Sequence, residues 1–174
     1  MKRVNFPALL FISVLALSSC RKIVQLPPVP SIKFTSFTIF DTTDILGNTA
    51  KGGRLKFHFE DGDGDLGLQA PTGNQTDTTN LYLTLFRKIG GVMDTITNKK
   101  DPLLPYSSYR IPYMEKTGVN KILKGTISVT FLYLFYSPGD TIKYDFYIKD
   151  RALNESNVAS TSEIVISANN IYLK

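Results

Sequence analysis

The stretch Asn80-Leu81-Tyr82-Leu83-Thr84-Leu85-Phe86-Arg87-Lys88 decides the fold. Leucine falls at every second position, with Tyr82, Thr84 and Phe86 between. Successive side chains of an extended chain point to opposite faces, so this spacing makes one leucine row on a strand. A helix would scatter the same leucines around its circumference. Gly90-Gly91 follows as a turn, and Val92 to Thr97 runs back as a hairpin partner. The same period of two recurs in Ile32 to Phe40, and in Arg54 to Glu60, where Leu55, Phe57 and Phe59 face inward. Lys121 to Tyr136 continues it, and Ser137-Pro138-Gly139-Asp140 signals a turn before Thr141 to Lys149. Val158 to Ser167 is the last expected strand, and no window shows sustained helical periodicity.

About seven strands separated by Gly, Pro, Asn and Asp turns predict an all-β domain, a sandwich of immunoglobulin-like or fibronectin-like type. A closed β-barrel is the alternative. Residues 98–120, with Pro102, Pro105 and Pro112, read as a long ordered loop. Val129 to Tyr136 is apolar on both faces, whereas a sandwich strand usually keeps one face wet. The 98–120 loop, or another protein, is expected to cover that second face.

Working outward to the N-terminus, Leu17-Ser18-Ser19-Cys20 ends a short apolar run, Phe6 to Leu17, behind the positive pair Lys2 and Arg3. The run is shorter than the roughly 20 residues a bilayer-spanning helix needs, and small residues precede the cysteine. It reads as a lipobox, with 1–19 a signal peptide and Cys20 the lipidated first residue of the mature chain. Residues 20–30 hold Pro27, Pro28 and Pro30 and read as an extended tether. Residues 31–174 form one β-sandwich domain.

Composition narrows the chemistry. Of 174 residues, 43% are hydrophobic and 20% charged, as in a globular protein with a real core. The formal charge of +5 falls to about +3 when Lys2 and Arg3 leave, and no dense basic block points to nucleic acid. There is one cysteine and one histidine, which excludes a disulfide, a Cys/His zinc site and a Cys–His pair. His58 alternates with the inward Leu55, Phe57 and Phe59 and so belongs on the outer surface; no G-x-S-x-G elbow exists for it to serve.

The sharpest chemistry is Asp61-Gly62-Asp63-Gly64-Asp65-Leu66-Gly67. Three carboxylates this close repel unless a cation lies between them, and oxygen-only ligands suit a hard ion, Ca2+ ahead of Mg2+. It is not an EF-hand, because Leu66 stands at the sixth position and Thr72 at the twelfth. Alternating strand direction brings the loop Asp150-Arg-Ala-Leu-Asn-Glu-Ser-Asn157 to the same end, as the B–C and F–G loops of such a sandwich. Asp150 and Asn154 are therefore expected to join Asp61, Asp63 and Asp65 as metal ligands. The competing reading is a solvated acidic turn.

The lipobox, the F-x-F-x-D-G-D-G-D-L-G segment and the D-R-A-x-N-x-S turn together resemble a family of uncharacterised lipoproteins from Bacteroidetes bacteria. The resemblance spans most of residues 20–167. Leu153 departs from it, standing where such turns carry Gly; a positive φ there costs Leu about 1 kcal/mol or more. The resemblance implies an outer-membrane lipoprotein with a β-sandwich and no settled enzyme activity. Arg21 in place of Asp implies outer-membrane sorting, and Arg21-Lys22-Ile23, lacking an acidic stretch, implies a periplasm-facing position. It also implies O-glycosylation at Asp-Thr pairs, which here are Thr42, Thr78, Thr95 and Thr141.

Three functional readings compete. The first is a non-catalytic, lipid-anchored module whose tip loops, with Tyr106, Tyr109 and Tyr113, contact an envelope protein or a glycan. The second is a glycosidase using Glu60 with Glu115 or Asp101. A third reading makes the chain an accessory subunit of an outer-membrane complex, hinted at by the doubly apolar strand.

Overall fold

The computed structural model describes residues 26–73, 78–96, 107–115 and 121–174. Among the described residues ten strands occur: β1 (Ser31–Thr43), β2 (Thr49–Asp61), β3 (Leu81–Ile89), β4 (Val92–Thr95), β5 (Ser108–Tyr109), β6 (Leu123–Tyr133), β7 (Thr141–Ile148), β8 (Ala159–Ser160), β9 (Ile164–Val165) and β10 (Asn170–Leu173). They form two antiparallel sheets, one ordered β10-β1-β2-β6 and the other β4-β3-β7-β8, with β5 on β3 and β9 on β7. The sheets pack as a sandwich and do not close into a barrel. This order, β1, β2 and β6 facing β3, β7 and β8, is that of the immunoglobulin-like and fibronectin-like sandwiches. No described helix is long and apolar enough to cross a membrane.

The period-two readings place the inward rows correctly. Leu81, Leu83 and Leu85 are buried, as are Leu55, Phe57 and Phe59, while His58 sits on the outward row of β2. β1 and β2 run longer than the pattern predicted, whereas β6 and β7 end earlier. β1 and β2 continue to a tight hairpin at 44–48, where Asp44 accepts from the backbone of Leu46 and Asn48. Polar residues such as Asp41 and Lys51 masked that extension; they pair with each other across the two strands at 2.6 Å. The expected last strand, Val158 to Ser167, is two short strands, and β10 was not foreseen.

The core is an aromatic block. Phe37 and Phe131 stack 5.9 Å apart across β2, and Tyr144 of the opposite sheet stacks on both at 5.8 and 5.4 Å. Two rings can meet over an intervening strand only where that strand has no side chain. Gly53 supplies the gap, for it pairs with Ile39 on one side and Phe131 on the other. A Cβ there would lie 2.7 Å from the Tyr133 ring and 2.8 Å from Phe37. Tyr133 and Tyr144 share a hydroxyl contact of 2.8 Å, so neither buried phenol is left without a partner.

Among the described residues the second face of 129–136 stays open, and residues 98–106 and 116–120 of the expected cover lie outside them. Among the described residues the 107–115 segment packs on the inward side instead, with Tyr109 edge-on to Phe131 at 5.4 Å. Leu132, Leu134 and Phe135 stay exposed. Segment 107–115 follows the β3 edge because Asn80 binds it at both ends: Asn80 donates its N–H to Tyr109, and its Oδ1 accepts the N–H of Ile111.

Replacing Gly53 by Val should therefore lower the unfolding free energy by about 1–3 kcal/mol through overpacking. A urea titration of the variant checks this, the far-UV spectrum remaining that of a β protein.

Candidate metal centre

β2 alternates to its last residue. Leu55, Phe57 and Phe59 point into the core, and the next position of that row is Asp61, which is 0% exposed. Strand parity thus places a carboxylate at the mouth of an apolar core. The chain then reverses through 62–65, and Leu66 inserts its side chain into the core. That insertion turns the Leu66 N–H onto Asp61 Oδ2 at 2.8 Å. Leu66, which breaks the EF-hand pattern, is the anchor that closes this loop.

One carboxylate oxygen from each of Asp61, Asp63 and Asp65 lies within 4.8 Å of the others, a group that could hold a metal ion. Asp61 Oδ1 and Asp65 Oδ1 are buried with no hydrogen-bond partner. Two carboxylates at that spacing repel by about 3 kcal/mol at an effective dielectric of about 20. Burial pushes the Asp61 carboxyl up from 3.8 to about 6, with Asp63 and Asp65 adding to it against the Leu66 N–H. Asp65 is also raised, by burial first and then by the charges of Asp150 and Asp63.

The loop is braced from three sides. Asp65 Oδ2 accepts the Ala152 N–H at 3.1 Å, and its carbonyl accepts from Arg151. Arg151 Nη1 donates to the Gly67 carbonyl at 2.9 Å, and its guanidinium lies 5.0 Å from the Tyr113 ring centroid. The 107–115 segment joins through Leu68, which donates to Ile111 and accepts from Tyr113 at 2.9 Å. On the third side Gly62 donates to the Pro27 carbonyl at 3.1 Å. A Cβ at Gly62 would strike the carbonyl oxygens of Leu26 and Pro27, so only glycine admits that segment.

Asp150 lies near enough to Asp65 for its charge to raise that carboxyl, while the group of close carboxylates is Asp61, Asp63 and Asp65. Asp150 is 2% exposed, and its two oxygens accept the N–H and the Nδ2 of Asn154, both at 2.8 Å. This closes the turn 150–154, in which Leu153 takes φ 68° and is exposed. The positive φ expected from the missing glycine is there. Asn157 clamps the start of β1, accepting the Ile32 N–H at 2.9 Å and donating to its carbonyl at 3.0 Å.

The other singled-out residues are dispersed. Tyr113 is exposed at this tip; Tyr109 packs into the core; Tyr106 and Cys20 lie outside the described residues. Glu60 faces outward and pairs with Lys124 at 2.9 Å; Glu115 is exposed, and Asp101 lies outside the described residues. Thr78 and Thr95 are exposed, whereas Thr42 and Thr141 are half-buried in β1 and β7. Sequence reasoning missed Leu66, Gly62 with Pro27, Arg151 and Asn157. The parity of 55, 57, 59 and 61 was the available signal for the burial of Asp61.

Comparison with family models, curated proteins and solved structures finds no match.

The raised Asp61 value has a sign that can be tested with chelator present. Between about pH 4 and about pH 6 the folded state keeps a proton that the unfolded chain has released, so stability falls as pH rises through that window. The fall should be on the order of 2 kcal/mol, read from urea midpoints at its two ends, and Asp61→Asn should flatten it.

Proposed function

We propose that this chain is a lipid-anchored, non-catalytic protein of the outer membrane, facing the periplasm. It presents a β-sandwich as a binding or structural module, with a Ca2+ ion holding one tip together. The carrying observation is the acidic cluster, in which Asp61 and Asp65 each keep a buried oxygen without a hydrogen-bond partner and stand in one close group with Asp63. Buried carboxylates without hydrogen bonds are costly unless protonated or bound to a cation. Three carboxylates supply three to six oxygens, and Ca2+ completes its six to eight with carbonyls or water. Mg2+ demands a tighter octahedron and fits a glycine-rich loop less well.

The ion would act structurally. The loop it holds already binds the 150–154 turn, the 107–115 segment and residues 26–27, so fixing it fixes the whole tip. A fixed tip gives the module one rigid frame, so a contact made elsewhere on the sandwich meets a preorganised surface. The anchor rests on the Cys20 lipobox and on the resemblance to Bacteroidetes lipoproteins.

A second reading, an accessory subunit of an envelope complex, is favoured by the opposite end. There Ile45, Leu46, Ile89, Val92, Leu134 and Phe135 are all exposed, on three neighbouring connections. Scattered exposed aliphatics need no explanation, but a cluster at one end marks a contact surface.

Thermal unfolding of the acylated chain in detergent tests the ion. With a Kd of about 10 µM, about 1 mM Ca2+ should raise the Tm over EGTA by about 5–10 °C. An Asp63→Asn/Asp65→Asn double variant should lose that rise. An equal Tm in EGTA and Ca2+ would leave the segment a solvated turn.

A further inference from the structure

The chain's N-terminal segment and the acidic loop meet at one end of the sandwich. Pro30 is buried, the Pro27 carbonyl accepts the Gly62 N–H, and Asn157 fixes the Ile32 backbone that follows. Residues 26–30 are therefore seated on the domain and leave it from the acidic end.

We propose that this end rests against the lipid headgroup layer, with Val29, Tyr113 and Leu153 as its contact residues. The inference depends on the lipid anchor at Cys20 proposed above. Five residues lie between Cys20 and Leu26. A fully extended chain reaches at most about 3.5 Å per residue, so Leu26 stays within about 20 Å of its acylated cysteine. The opposite end lies farther off, because the 13 residues of β2 span about 40 Å at about 3.3 Å each. With 26–30 seated, the domain cannot swing over to present its far end.

The surface at this end suits that placement. Val29, Tyr113 and Leu153 are exposed, and the contacts already described join them: Pro27 to Gly62, Asp65 to Arg151 and Ala152, Arg151 to Tyr113. Leu153 is the telling member. It holds a left-handed backbone conformation that disfavours Leu, yet its side chain is 65% exposed rather than packed inside. Strain retained at an exposed aliphatic points to use of that side chain outside the fold. Tyrosine is suited to the same layer, being apolar along its ring and polar at its tip. An anionic headgroup layer also gathers cations, which places the acidic cluster where its ion is most abundant.

The test uses the full, acylated protein in phosphatidylethanolamine/phosphatidylglycerol vesicles that carry a nitroxide on a fraction of the headgroups. Acylation occupies the sole native cysteine, so Leu153→Cys, Val29→Cys and Ile45→Cys each accept one bimane label. Labels at 153 and 29 should be quenched several-fold more than the label at 45. Equal quenching, or stronger quenching at 45, overturns the placement. Gly62→Ala, which unseats residues 26–27, should shrink the contrast while the protein stays folded and bound; an undiminished contrast would also count against it. Mass spectrometry of Cys20 separates the two readings. Acylated protein without the quenching contrast overturns this inference alone, whereas a free Cys20 thiol overturns the anchor and the inference together.

Discussion

The period of two along β2 is the constraint on which the rest of the molecule depends. One row of that strand carries Gly53, Leu55, Phe57 and Phe59 into the core and ends with Asp61. The aromatic block requires the row to face inward, since Phe37, Phe131 and Tyr144 stack over the gap at Gly53. A shift by one residue would bury Arg54, Lys56 and His58 instead, so register is not negotiable. Asp61 inherits its burial from that row. It is a carboxylate placed by hydrophobic packing, and the loop after it is shaped around the consequence.

That placement explains why a short, glycine-rich acidic stretch becomes an organised tip. Leu66 closes it from below, Arg151 from the side and residues 26–27 from the front. Each brace binds backbone or the Oδ2 oxygens, leaving Asp61 Oδ1 and Asp65 Oδ1 buried without a hydrogen-bond partner. The raised Asp61 value and the geometry have one cause, the withdrawal of water from charges held near one another.

The sandwich was legible in the chain because alternating leucines and phenylalanines leave no other periodicity to follow. The row of Leu55, Phe57 and Phe59 in β2 and the leucine row of β3 were read correctly. Strand ends were not, since Asp41, Lys51 and Thr49 carry polar side chains that a ladder tolerates and a hydropathy pattern hides. The acidic cluster was legible as composition, and the meeting of 61–67 with 150–157 followed from strand direction. Its burial was harder to see, because a pattern reading stops at the first charge. The partnership of Asp150 with Asn154, and the seating of Pro27 on Gly62, depend on backbone geometry that no periodicity encodes.

The parts of the tip are spread through the chain: residues 26–27, 61–67, 111–113 and 150–154. Strand pairing within β1 and β2 needs only a hairpin, but β7 and the turn that follows it come far later in the chain. A chain emerging from its N-terminus therefore carries Asp61, Asp63 and Asp65 for some ninety residues before Arg151 and Ala152 can reach them. Until then the carboxylates are open to water and mutual repulsion is mild. Completion of the acidic tip is thus a late event in folding, one that waits for the 150–154 turn to be delivered.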